Sequence, residues 1–146
     1  MINSTVIHNG VDCELIRNLP ITRKTLFESI GCPDWEHNKI LGTISRISPE
    51  KGILNLLSAF SIVIKEIPDL RLIIIGGYPE EHKKYYLRTF DFIKKENLTE
   101  HVRILGYRED ALEILKVVDF YISPSLSEGL PISILEAISS WIPIVA

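Results

Sequence analysis

The chain alternates apolar, often β-branched runs with segments whose apolar residues recur every three or four positions. The run Arg71–Ile75 is continuous and β-branched, which is typical of a strand buried on both faces. Ile53, Leu56, Leu57 and Phe60 show the spacing of a helix with one apolar face. Strands that alternate with helices at this rhythm favour βαβ units, and so predict an α/β fold with a doubly wound, Rossmann-like parallel sheet.

The same patterns set the expected domain organisation. Strands are predicted at 39–44, 71–75, 102–105, 118–122 and 144–146, and helices at 53–67, near 86–97, at 109–116 and at 131–140. They place one domain at 38–146, preceded by a less regular segment, 1–37, that we expect to pack on it only in part. Because a parallel strand is normally followed by a crossover helix, we also expect the domain to be incomplete at its C-terminus.

Composition excludes several classes of protein. With 46% hydrophobic residues and a net charge of −3, the 146-residue chain is neither disordered nor basic enough to favour a nucleic-acid partner. The N-terminus lacks a signal peptide, and two prolines and Glu136 interrupt the weakly charged stretch 129–146, so no transmembrane segment is predicted. Cys13 and Cys32 are too few for a disulfide scaffold, which favours free thiols in a cytoplasmic protein.

Common catalytic and metal-binding motifs do not occur. The sequence contains no GxGxxG, GxxxxGK[ST], GxSxG or HExxH, and its four histidines lack metal-ligand spacing. Ligands of open parallel sheets bind at the carboxyl ends of the strands, so the loops there become the candidate site. Those loops are 45–52, 76–79, 106–108 and 123–130.

The loop 45–52 carries two cations, Arg46 and Lys51, just before a helix. Lys51 followed by Gly52 puts an ammonium and an unhindered backbone beside a helix N-terminus, which suits a phosphate group. The alternative is a solvated cation on a surface turn.

Two carboxylates follow strand 118–122, Glu128 in a polar loop and Glu136 in the next helix. If both were helical, eight residues would separate them by roughly 12 Å, more than the ~5 to 9.5 Å of a glycosidase pair. Separated carboxylates are instead suited to accepting hydrogen bonds from two different diols. The alternative for Glu136 is a glutamate near the helix cap or at the surface.

Taken in order, four segments resemble a known family: 46–52, 72–77, 102–106 and 124–131, the last followed by Glu136. The set resembles the C-terminal, donor-binding domain of retaining GT-B glycosyltransferases of family four (glycosyl transferases group 1). Segment 6–12 also resembles the start of that domain, with His8 where proline is usual. The resemblance covers nearly the whole chain and implies the C-terminal half of a GT-B fold, truncated and without its acceptor-binding N-terminal domain.

The resemblance also implies roles for individual residues. Arg46 and Lys51 match cations that hold the donor diphosphate and stabilise the departing nucleotide, and Glu128 matches a glutamate that contacts the donor sugar; these three are the implied catalytic residues. Glu136 matches the glutamate that binds the ribose hydroxyls. Six further positions match backbone or loop positions around the donor: Gly76 and Gly77 in a variant of a GxG turn, Tyr107 and Arg108 near the base, and Gly129 and Leu130, whose amides face the sugar or phosphate.

The implied function is the donor-site portion of a glycosyltransferase. It would move a sugar with retention from a nucleotide-diphosphate sugar, UDP- or GDP-linked, to a glycan or lipid-linked acceptor, with no cofactor and no obligatory metal. The family's usual setting is polysaccharide biosynthesis in the cytoplasm, peripheral to the inner membrane, and we expect the isolated chain to be inactive without an acceptor domain. A non-catalytic nucleotide-sugar binding module and an inactive fragment with a pairing sheet edge remain as alternatives.

Overall fold

Strands and helices alternate along most of the chain in the computed structural model, which describes residues 5–146. The strands are Lys39–Ile44 (β1), Leu70–Ile75 (β2), Val102–Gly106 (β3), Phe120–Ile122 (β4) and Ile144–Val145 (β5). The helices are Cys13–Asn18 (α1), Arg23–Ser29 (α2), Ile53–Val63 (α3), Lys83–Lys95 (α4), Ala111–Leu115 (α5) and Ile132–Ser139 (α6). No helix within this range is long and apolar enough to cross a membrane.

The five strands form one sheet in the order β3-β2-β1-β4-β5, and every neighbouring pair is parallel. The chain therefore builds outward from β1 to β3 and then returns to add β4 and β5 on the other side. This is the Rossmann-like order, and its direction reverses between β1 and β4. The predicted doubly wound parallel sheet is confirmed.

Strand β2 shows why the sheet must be covered on both faces. Ile73 and Ile75 point into a core that includes residues of α2, α5 and α6. Leu72 and Ile74 point into a second core with residues of α3 and α4. Because side chains alternate along a strand, an unbroken apolar run needs a helical layer on each side.

The segment before β1 is more regular than its sequence pattern predicts. Helix α2 buries Leu26 and Phe27, and Trp35 follows in a short 3-10 helix, all three in a core shared with the sheet. Helices of six or seven residues are too short to show a clear apolar period, which is why the pattern missed them. Residues 1–4 of this segment lie outside the described residues, and the boundary at residue 37 stays a prediction.

Two of the predicted boundaries are displaced, one by four residues and one by two. Helix α3 ends at Val63 and not at Ile67, because the amides of Lys65 and Glu66 donate to carbonyls three residues back, those of Ile62 and Val63. Strand β4 begins at Phe120 and not at residue 118. The Val118 amide donates to the Leu115 carbonyl, so Val118 closes the turn after α5 and does not begin the strand.

Asp119 joins the amino ends of β1 and β4 to the leading segment. Its carboxylate accepts hydrogen bonds from the Ile40 amide at 2.8 Å and from Arg23 and Lys39 at 3.3 Å each. Burial alone raises its pKa, but the Ile40 amide and the Lys39 ammonium outweigh that effect, so the pKa lies below its usual value. Arg23 also donates to three backbone carbonyls, those of Glu36, Asn38 and Val117.

Replacing Asp119 tests this junction. We expect Asp119→Ala to lower the free energy of unfolding by about 1 to 3 kcal/mol, because the Ile40 amide loses its charged partner. Asp119→Asn, which keeps an acceptor, should lose less. The cost of Asp119→Asn should shrink as the pH falls through the depressed native pKa, because the wild-type carboxylate is then protonated. Urea unfolding at two pH values measures this, and an equal cost at both would contradict the role of the charge.

Candidate functional site

Two loops meet where the sheet changes direction. Because β1 and β4 are neighbours, the loop after each strand emerges at the same edge, and the Leu126 amide donates to the Glu50 carbonyl at 2.8 Å. Gly52 has a φ of 65°, and a Cβ there would lie 2.0 Å from the Pro124 carbonyl oxygen. A glycine is therefore required at Gly52 both by the backbone conformation and by the close approach of the second loop.

The loops after β2 and β3 extend the same edge. The Ile47 amide donates to the Gly77 carbonyl at 2.8 Å, and the Gly76 amide donates to the Gly106 carbonyl at 2.8 Å. Gly76 has a φ of 143°, and a Cβ there would lie 2.0 Å from the Ser45 carbonyl oxygen. All four loops predicted to carry the site therefore meet along one edge of the sheet.

This edge holds two adjoining cavities that share Ile44, Ser45 and Arg46. The first cavity, of about 540 Å³, lies over β1 and β4. Its other lining residues are Asn9, Thr43, Lys51, Tyr121, Ser123, Pro124, Ser125, Glu128, Leu130, Pro131, Ile132 and Ser133. The second cavity, of about 430 Å³, extends toward β2 and β3. Its other lining residues are Ile75, Gly76, Gly77, Tyr107, Arg108, Glu109, Ala111, Leu112 and Glu136.

An ion pair between Lys51 and Glu128 crosses the first cavity. The Lys51 ammonium donates to the Glu128 carboxylate, and the two side chains are 17% and 26% exposed. Hydrogen bonds from Lys51 and Ser125 hold the pKa of Glu128 below its usual value. The contact ties the β1 loop to the β4 loop through charge as well as through backbone.

Arg46 stands at the boundary of the two cavities and is 65% exposed. Its guanidinium lies 3.8 Å from the Glu50 carboxylate, which also accepts a hydrogen bond from the buried Ser48 hydroxyl at 2.6 Å. That hydroxyl is the main reason why the pKa of Glu50 is lowered. Arg46 thus keeps its donors available to both cavities.

Glu136 belongs to the second cavity, apart from Glu128. It is the fifth residue of α6, and burial raises its pKa. The carboxylates of Glu128 and Glu136 therefore line different cavities, which agrees with the expectation that they do not act as one hydrolytic pair.

The remaining predicted residues fall into three groups. Gly76, Gly77 and the 79% exposed Tyr107 line the second cavity. Arg108 also lines it, but its guanidinium is held by Asp110 through two hydrogen bonds of 2.7 and 2.6 Å. Leu130 lines the first cavity. Gly129 is in the same loop but lines neither cavity.

Three polar residues that line the first cavity were not predicted from the sequence. Thr43 and Tyr121 are strand residues that look like core positions, yet both are at the carboxyl ends of neighbouring strands and line the cavity. The Tyr121 hydroxyl donates to the Ile44 carbonyl at 3.2 Å, and burial raises the pKa of this phenol. Asn9 was also missed; its amide donates to the Leu130 carbonyl at 2.9 Å. Among residues 5–146, no cluster of three or more His, Cys, Asp or Glu side chains is arranged to hold a metal ion.

Two glycines with similar backbones offer a matched test of the loop contact. Gly52 and Gly106 have φ values of 65° and 69°, but nothing lies within 4 Å of a Cβ added at Gly106. We expect Gly106→Ala to cost about 1 kcal/mol, the usual penalty for a left-handed non-glycine residue. Gly52→Ala should cost clearly more, because the methyl group also pushes the Pro124 carbonyl away. Equal losses in thermal or urea unfolding would mean that the two loops separate freely.

Comparisons with known proteins identify the family. The sequence model of the glycosyl transferases group 1 matches residues 33–146, and this chain belongs to that family. A galactosyltransferase of Escherichia coli, UDP-Gal:alpha-D-GlcNAc-diphosphoundecaprenol alpha-1,3-galactosyltransferase, is 34% identical over 97% of this chain. The alpha-monoglucosyldiacylglycerol synthase of Streptococcus pneumoniae is 31% identical over 99%. The chain spans about a third of the length of these relatives, 35% and 32%.

Solved structures agree on the fold. The Anabaena protein HepE matches 97% of this chain in its complex with UDP, at a TM-score of 0.85 and 27% identity, and 38% of the HepE chain is covered. Its complex with UDP-glucose matches 96% at a TM-score of 0.84 and 26% identity, with 37% covered. The C-terminal domain of a group 1 glycosyl transferase of Francisella tularensis shares the fold at a TM-score of 0.76, 20% identity, and covers 92% and 69% of the two chains. The expected fold, the C-terminal half of a GT-B glycosyltransferase, is confirmed.

Proposed function

We propose that this chain is the donor half of a glycosyltransferase and binds a nucleotide-diphosphate sugar across the two adjoining cavities. The observation that carries the proposal is their arrangement at the point where the sheet changes direction. A cavity with a lysine and a carboxylate adjoins a cavity with a second carboxylate, and Arg46 borders both. The diphosphate would lie near Arg46 and Lys51, with the sugar on one side and the nucleoside on the other.

The first cavity has the chemistry of a sugar site. Glu128 can accept hydrogen bonds from sugar hydroxyls, and Thr43, Ser123 and Ser125 add polar groups along its lining. The volume of about 540 Å³ is within the range of small-molecule sites. Amides at the N-terminus of α6, together with Lys51, would bind the phosphate nearest the sugar.

The second cavity has the chemistry of a nucleoside site. Glu136 can accept hydrogen bonds from the ribose hydroxyls, and Tyr107 offers an exposed ring beside the turn Gly76–Gly77. UDP and UDP-glucose are the first ligands to test, because both occur in structures of the similar protein HepE.

In the proposed reaction the bond between the anomeric carbon and the diphosphate oxygen breaks, and its electron pair stays with that oxygen. The oxygen of an acceptor hydroxyl forms the new bond with retention, and the hydroxyl proton would pass to the leaving diphosphate. Negative charge develops on the leaving diphosphate, where Arg46, Lys51 and helix-end amides would stabilise it. These groups are the basis for proposing that no metal ion is required. The acceptor would be a glycan or a lipid-linked glycan, the class named for the Escherichia coli relative, and it would reach the site from another domain at the membrane surface.

A binding module without turnover would show the same donor affinity. Donor consumption distinguishes a binding module from a glycosyltransferase. When an acceptor domain from a relative and a lipid-linked acceptor are added, only a glycosyltransferase consumes the donor. Consumption that stops when Lys51 is replaced would support the enzyme.

Lys51→Ala tests the diphosphate site. We expect it to weaken UDP-glucose binding by about 1.5 to 3 kcal/mol, the value of a charge-assisted hydrogen bond, in calorimetric titration of the whole chain. Lys65→Ala removes an equal charge from the turn after α3 and should leave the affinity unchanged. The affinity of the wild-type chain for UDP-glucose should be the same in EDTA and in magnesium, because the proposed site requires no metal ion. Equal binding by Lys51→Ala and wild type would remove Lys51 from the donor site.

Glu136→Gln tests the ribose site and has a cost that can be measured without ligand. Because burial raises the Glu136 pKa above its usual 4.5, the folded protein holds the proton more tightly than the unfolded one, and stability falls as the pH rises through that window. We therefore expect Glu136→Gln to be more stable than wild type at pH 7, with a smaller difference at pH 4.

The same variant should lose affinity for UDP more than for 2′-deoxy-UDP, because only the former offers the 2′-hydroxyl. Equal losses for the two nucleotides would place the ribose elsewhere, and an equal gain in stability at both pH values would contradict the buried-charge argument.

A further inference from the structure

The Lys51–Glu128 ion pair joins the two groups that the proposed function assigns to different parts of the donor. Lys51 would bind a phosphate, and Glu128 would bind the sugar, yet in the structure they bind each other. We infer that this pair makes the site prefer a nucleotide sugar over the bare nucleoside diphosphate, because only the nucleotide sugar replaces both partners. The inference rests on the proposed function and deepens it.

The partial burial of Lys51 and Glu128 makes the replacement of their ion pair by ligand contacts important for the binding free energy. Both side chains are largely covered, at 17% and 26% exposed, so neither charge is fully hydrated when the pair opens. The carboxylate of the β1 loop, Glu50, is hydrogen-bonded to Ser48 and faces Arg46, so Lys51 pairs with Glu128 of the β4 loop. Opening the pair therefore leaves Glu128 in need of a new donor.

A nucleotide sugar and a nucleoside diphosphate differ in the hydrogen-bond donors that they offer to Glu128. A nucleotide sugar offers phosphate oxygens to Lys51 and hydroxyl donors to Glu128, so each charge gains a partner. A nucleoside diphosphate offers the phosphate alone, and that anion would lie close to an ionised Glu128 whose remaining partner is Ser125. A glutamate is ionised at neutral pH even without the Lys51 ammonium beside it, so this repulsion acts under the conditions of the titration. After sugar transfer, re-formation of the ion pair would favour release of the nucleoside diphosphate.

Neutralising the carboxylate tests the inference. In calorimetric titrations, Glu128→Gln should bind UDP about fivefold more tightly than wild type, the upper range for a partly exposed ion pair. It should gain nothing for UDP-glucose, because its neutral amide oxygen is a weaker acceptor for the sugar hydroxyls than the carboxylate. The preference for UDP-glucose over UDP should therefore fall. Glu128→Ala should change the preference in the same direction, which guards against an effect peculiar to the amide.

A charge control and a double variant complete the design. Glu66→Gln removes the same charge from the exposed turn after α3, where Glu66 makes none of the ion pairs found within residues 5–146, and should leave the preference unchanged. In a Lys51→Ala background, Glu128→Gln should give a smaller benefit to UDP, because no ammonium is left to release and only the repulsion of the phosphate is relieved.

Three outcomes decide the matter. Tighter UDP binding in Glu128→Gln that shrinks in the Lys51→Ala background supports the inference. Unchanged or weaker UDP binding in Glu128→Gln, or equal tightening for both ligands, overturns it while leaving the donor site in place. Failure of folded wild type and all variants to bind either ligand overturns the proposed function itself.

Discussion

The pairing of β1 with β4 is the contact on which the candidate site depends. These strands are far apart in sequence and adjacent in the sheet. After β1 the chain continues to β2 on one side of the pair, and after β4 it continues to β5 on the other side. Among residues 5–146, no helix crosses the sheet between their carboxyl ends, so the two loops meet and form a cleft. Gly52 then fixes how close they come, because its missing side chain is where the Pro124 carbonyl lies.

At this edge one carboxylate is destabilised by burial and one cation is left largely exposed. Glu136 sits where burial disfavours its charged form, and Arg46 is left exposed between two cavities. At the opposite edge, the Asp119 carboxylate accepts hydrogen bonds from one backbone amide and two cations, and these contacts lower its pKa. The contrast separates an edge that holds the fold together from the edge where we propose that the donor binds.

The sequence was most informative where one physical signal dominated. The run at β2 predicted a strand between two apolar layers, and the four loops at the strand ends were identified correctly as neighbours. It was least informative for α1 and α2, which are too short to show a helical period of apolar residues. It also failed for Thr43 and Tyr121, because their positions in strands predict a place in the hydrophobic core. The Arg108–Asp110 contact could not be foreseen either, because a pairing two residues apart depends on the local turn. Charge pairing across loops, as between Lys51 and Glu128, needs the sheet order before it can be inferred.

The most direct test of the central claim is to map UDP-glucose on the whole chain by amide chemical shifts in solution. The account predicts saturable changes confined to the carboxyl edge of the sheet, at residues 43–52, 76–78, 106–109 and 123–136. Amides at the amino edge, such as Ile40 and Asp119, should not move. Changes centred on the amino edge, or no saturable change in a folded chain, would contradict the account.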